Sequence, residues 1–134
     1  MSDDPPVAVV LDTSALLAHA AGSVAVGELV AEVSDEHRII GVPATCLAQA
    51  HAATSDQFGA TQLLLLTAAT QVAILPLAAD DVWPVGQLAR EVDGDIPLAH
   101  AVYLAAEHRA YYVTADPARA VAVLPSDWPI LDVG

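Results

Sequence analysis

Asp12, Thr13 and Ser14 follow directly on an aliphatic run, VAVVL at 7–11, and Thr114, Ala115 and Asp116 follow on a second apolar run, YYV at 111–113. Ligands of parallel sheets bind beyond the carboxyl ends of the strands, so a carboxylate in that place reads as chemistry before it reads as solubility. Two such carboxylates with hydroxyls beside them suit a hard divalent cation that retains water, as Mg²⁺ does. An ion held in this way activates a water and clamps a phosphodiester. The predicted site therefore has Asp12 and Asp116 as catalytic and metal-binding residues, supported by Ser14 and Thr114. Each residue also has a plainer role. Asp12 or Ser14 is a good cap for the following helix, and Asp116 before Pro117 is a good turn residue.

The elements that must position this pair follow from the apolar pattern. Strands are expected at Val7–Leu11, Arg38–Val42, Gln71–Leu75, Tyr111–Thr114 and about Pro129–Leu131. Helices are expected at Ser14–Ala20, from an N-cap at Ser23 to about Val33, and from Pro43 in the first turn of a helix through His51. Further helices run from a Ser55-Asp56 cap to Thr70, from Asp80 toward Asp93, and from Pro97 to about Arg109. Strand and helix segments alternate throughout, which predicts a single α/β domain over residues 1–134 with a mostly parallel sheet of four to five strands. Residues 1–6 (MSDDPP) read as a frayed leader, too acidic and polar for a signal peptide.

Bulk properties bound the function. The 134 residues carry 17 acids against four arginines (Arg38, Arg90, Arg109 and Arg119) and no lysine, for a formal net charge of −13. A broad basic stripe for gripping nucleic acid is excluded, so any contact with RNA relies on metal, a few arginines or a partner. A hydrophobic share of 55% leaves apolar surface over for self-association, with a dimer expected, or for a protein partner. No apolar stretch is long enough to span a bilayer, and the one cysteine, Cys46, fits a reducing, cytoplasmic setting as an inert buried thiol. His19, His37, His51 and His108 read as surface or boundary histidines, Glu107 as a solvated position, and Trp83 and Trp128 as core or interface anchors.

The order strand-DTS-helix, a Pro-initiated third helix, an LAxA-type helix and strand-TADP resembles the PIN domain, as in VapC-type toxin ribonucleases, from about Val7 to Leu131. The resemblance implies a three-layer α/β fold, a metal-dependent endoribonuclease site with four acidic positions, an RNA substrate and an antitoxin-like partner. Its first and last acidic positions correspond to Asp12 and Asp116, with Ser14 and Thr114 alongside. The middle two depart from the family pattern. Gln49, in PATCLAQAHA, stands where a Glu is expected, and His100, in IPLAHAVYLAAEH, stands where an Asp is expected. Gln49 still offers an oxygen and His100 a nitrogen, which makes His100 a candidate metal ligand and shifts preference from Mg²⁺ toward Mn²⁺ or similar ions. Asp93 and Asp95 are candidate substitutes, or residues that favour the helix N-terminus. Two readings follow: a degenerate domain with weak or lost catalysis and a binding or regulatory role, and an active ribonuclease with an altered Asp/His metal site.

Overall fold

A computed structural model describes residues 6–134. The chain alternates β1 (Val7–Leu11), α1 (Thr13–Ala20), α2 (Ala25–Asp35), β2 (Ile39–Pro43), α3 (Ala44–Ala53), α4 (Gln57–Ala68), β3 (Val72–Leu75), α5 (Val82–Ala89), α6 (Ile96–His108), β4 (Tyr111–Thr114), α7 (Pro117–Val121) and β5 (Ile130–Asp132). Single 3₁₀ turns flank α5 at Ala79–Asp81 and Arg90–Val92. The five strands form one wholly parallel sheet in the order β3-β2-β1-β4-β5, flanked by helices in three layers. The expected α/β architecture is the observed one, at the upper end of the expected strand number.

β1 lies at the centre because it is aliphatic on both faces, and Val10 and Leu11 are completely buried. The chain leaves β1 for β2 on one side and returns through β4 on the other. That change of winding direction opens a crevice at the carboxyl ends of β1 and β4. The parallel register pairs Leu11 with Val113, so Asp12 N–H donates to the Val113 carbonyl at 3.1 Å and Asp12 comes to lie beside Thr114. Gly41 on β2 is needed for close approach of the strands. A Cβ there would meet Leu75 Cδ1 at 2.8 Å and Val7 Cγ1 at 3.1 Å.

Some local expectations are corrected. Ser23 is not the N-cap of α2: Val24 holds that position, and the Ser23 hydroxyl accepts only a long 3.4 Å bond from Ala25 N–H. Pro43 ends β2 and caps α3 from outside instead of occupying its first turn. Asp116 does not make a simple turn. It is the N-cap of α7, a short helix absent from the sequence reading because five residues carry too little periodicity to register. Of the two core-or-interface tryptophans, Trp83 is 73% exposed and so lies outside the core, whereas Trp128 is partly buried and donates from Nε1 to the Ala110 carbonyl at 3.1 Å. The leader expected over 1–6 lies outside the described residues except for Pro6, whose carbonyl accepts from Ile39 N–H at 2.9 Å. Among the described residues no single helix is long and apolar enough to cross a membrane.

Candidate functional site

Asp12 is the anchor of the site and is only 5% exposed. Its Oδ1 accepts from Ala15 N–H at 2.9 Å, capping α1, and from Ser14 Oγ at 2.7 Å. Its Oδ2 accepts from the Tyr112 hydroxyl at 3.0 Å. Tyr112 is fully buried on β4, and burial first, then the adjacent Asp12 carboxylate, pushes its phenol well above the ordinary value. The cap and the site are therefore the same residue, because a strand end that meets a helix start needs an acceptor just where the crevice opens.

Ser14 ties the two strand ends together. Its hydroxyl lies 3.0 Å from Thr114 Oγ1 and accepts from Ala115 N–H at 2.9 Å. Thr114 is buried, and its Oγ1 in turn accepts from Asp116 N–H at 3.0 Å. Thr114 thus sets the course of the β4–α7 connection without reaching the crevice itself. Asp116, exposed, caps α7 through a 3.4 Å bond from Arg119 N–H to its Oδ1.

These residues line a pocket of about 260 Å³. Asp12, Thr13 and Ser14 contribute from the β1–α1 junction and Gln49 from α3. Asp95, Asp116 and Arg119 also line it, and Leu17, Ala53 and Leu98 supply apolar surface. Gln49 Oε1 accepts from Thr13 Oγ1 at 2.8 Å, so its neutral oxygen is engaged by a neighbour on the pocket wall. The pocket therefore brings together Asp12, Asp116, Ser14 and Gln49 of the expected site residues.

His100 is not brought in. It lies in the buried middle of α6, fully enclosed, with Nδ1 2.7 Å from Thr45 Oγ1 and Nε2 without a partner. Burial holds its imidazole below the ordinary value, which favours the neutral ring. The physical reason is position on the helix: α6 presents its N-cap, not its second turn, to the crevice. That N-cap is Asp95, whose Oδ1 accepts from Leu98 N–H at 3.0 Å and whose Oδ2 pairs with the Arg119 guanidinium.

Asp95 was one of two substitutes on offer in the sequence, and Asp93 stays outside the pocket in a left-handed turn at φ 58°. Tyr112, Thr13 and Arg119 were not singled out for the site. For Arg119 the available signal was its spacing of three residues from Asp116. For Tyr112 it was an aromatic hydroxyl on the same strand as Thr114. Cys46 is buried, donates to the Pro97 carbonyl at 3.1 Å, and is pushed up to about 12 chiefly by burial, which removes it as a thiolate nucleophile at neutral pH.

The donor set suits a hard divalent cation in kind, with three carboxylates, an amide oxygen and hydroxyls. Its arrangement does not. Among the described residues no three His, Cys, Asp or Glu side chains stand close enough to hold one ion. Asp12 already accepts three hydrogen bonds from its own chain, two on Oδ1 and one on Oδ2, and Asp95 faces a guanidinium.

A five-stranded parallel sheet in this order, flanked by helices in three layers, is a PIN-like α/β fold. The chain is similar in structure to PAE2754 from Pyrobaculum aerophilum, at TM-score 0.64 and 19% identity over 95% of this chain and 91% of that one. It is also similar to VapBC2 from Rickettsia felis, solved bound to a DNA fragment from their promoter, at TM-score 0.59 and 15% identity over 87% of this chain and 95% of that one. No family model matches the chain, and no curated protein matches it in sequence.

Proposed function

We propose that this chain is a VapC-like PIN domain in which the acidic pocket is kept but metal-dependent ribonuclease chemistry is weak or lost, leaving a binding or regulatory role. One observation carries the reading: both carboxylate oxygens of Asp12, the residue at the centre of the site, are satisfied by Ser14, Ala15 and Tyr112. A carboxylate committed in this way is structural before it is a ligand. The replacement of a family Glu by Gln49 and the core position of His100 point the same way, as does a surface without a basic stripe for RNA.

A second reading, an active ribonuclease on an altered metal site, is favoured by Asp95. With it the pocket has three carboxylates, so Asp12, Asp95 and Asp116 would be the acidic set, with Mg²⁺ or Mn²⁺ as the ion. Asp12→Asn and Gln49→Glu separate the readings. Under the first, the wild type cleaves RNA poorly or not at all, and Gln49→Glu raises cleavage by restoring a carboxylate beside Thr13. If the wild type cleaves as well as Gln49→Glu and Asp12→Asn abolishes cleavage, the second reading holds.

Protein partners belong to the same proposal. The likeness to a VapBC structure supports an antitoxin-like partner, and exposed Val24, Phe58, Val82 and Trp83 supply apolar surface for it or for a homodimer.

A further inference from the structure

The two faces of β4 are covered unequally. On one face α6 packs against β1 and β4, and Tyr112 is fully buried. On the other, Tyr111, the residue before it, is 46% exposed. The register pairs Val9 with Tyr111 and Val113 with Leu131, and side chains alternate along each strand. Val9, Tyr111, Leu131 and Val133 therefore share this second face. They floor a groove of about 510 Å³ that Leu29 and Val33 of α2 also line. A buried parallel sheet ordinarily carries helices on both faces. Here α2 packs chiefly on α1 and β2, and the groove is what it leaves open over β4 and β5.

The rim of this groove is acidic. Glu28, Glu32 and Glu36 recur every four residues along α2, beside the stripe of Leu29 and Val33, and Asp132 comes from the end of β5. Arg38 is the one cationic side chain in the lining, 3.8 Å from Glu36. Like charges four residues apart on a helix repel, and Glu36 at the C-cap also opposes the helix dipole. Cations brought by another molecule relieve both. We propose that this groove docks an amphipathic helix of a partner protein. Its apolar stripe meets the sheet, and its Lys- or Arg-bearing flank meets α2. A second copy of this chain lacks that chemistry, with four arginines, no lysine and a net charge of −13. The groove shares no lining residue with the acidic crevice, so the inference goes beyond the ribonuclease reading and is tested apart from it.

The probe is a helical peptide of about 15 residues, with Leu along one helical stripe and Arg along the adjoining one. It is titrated against the full chain by fluorescence anisotropy. A scrambled peptide of the same composition keeps the charge and loses the apolar face, and is expected to bind at least about tenfold more weakly. The double change Glu28→Gln with Glu32→Gln is expected to weaken binding of the patterned peptide about tenfold. Glu91→Gln with Glu107→Gln alters net charge equally outside the groove and is expected to stay within about twofold. Tyr111→Ala, at a half-exposed position on the groove floor, is expected to cost about tenfold. Equal affinity for the two peptides, or equal effects of the two double variants, reduces the binding to bulk charge and overturns the inference. So does no binding of the patterned peptide. A dimer in sedimentation of the protein alone that Tyr111→Ala dissociates assigns the groove to a second copy, and overturns it as well.

Discussion

Asp12→Asn is the substitution that separates a structural carboxylate from one held in reserve for a metal. The asparagine amide oxygen keeps Ser14 and Ala15 as donors, but its NH₂ group faces the Tyr112 hydroxyl. Tyr112 is fully buried, so its hydroxyl must accept from the amide instead of donating, and its own proton loses the Asp12 acceptor. The loss is one charge-assisted hydrogen bond, about 1.5–3 kcal/mol. Removing a negative charge at the N-terminus of α1 adds about 0.3–1 kcal/mol. The expected destabilisation is therefore roughly 2–4 kcal/mol. With about 2.1 cal/mol/K of unfolding entropy per residue, this chain length gives a fall in Tm of roughly 7–14 °C. The assay is thermal unfolding with a chelator present, followed by circular dichroism. Carboxylates kept together for an ion behave in the opposite way, since neutralising one relieves repulsion while the ion is away. An Asp12→Asn protein as stable as the wild type, or more stable, refutes the assignment of Asp12 as internally satisfied.

Two further outcomes follow from the same geometry. Tyr112→Phe keeps the buried ring and deletes only the hydroxyl, at a cost of about 1.5–3 kcal/mol in chemical denaturation. Combined with Asp12→Asn, the total loss should fall short of the sum by at least about 0.5 kcal/mol, because both remove one interaction; strict additivity contradicts the contact. For pH, the buried His100 titrates below its ordinary value of 6.5, so the unfolded chain takes up the proton first as pH falls. Stability from this group is full above about 6.5 and lost as pH drops below it. His100→Leu should flatten that part of the stability–pH curve, leaving the slope from His19, which burial also lowers. An unchanged slope between about pH 7 and pH 5 would show that His100 is already free to protonate in the folded protein.

Local signals in the sequence account for most of the fold. VAVVL and YYVT are legible as strands because a parallel sheet buried on both faces needs uninterrupted apolar residues. Asp12, Asp56 and Asp95 mark helix starts because an N-cap requires an acceptor within a residue or two of the first turn. Ends proved less certain than existence. Pro43, Ser23 and α7 show that a cap or a five-residue helix is decided by a few hydrogen bonds that composition does not report.

The site divides along the same line. Asp12 and Asp116 could be picked from their places at strand ends, since a strand's direction and its carboxyl end are both local facts. The fate of His100 and Asp95 could not. Five residues apart on α6, they face different surroundings, and which of them meets the crevice depends on how α6 docks against α3 and the sheet. The same holds for Tyr112 and Arg119, which reach Asp12 and Asp95 across 100 and 24 residues of chain. Sequence by itself determined the alternation of elements and the two carboxylates that follow β1 and β4, because each depends on neighbours in the chain. Tertiary structure alone decided that the third carboxylate is Asp95, that His100 is core, and that an arginine stands among the three acids, because each depends on register and docking between distant segments.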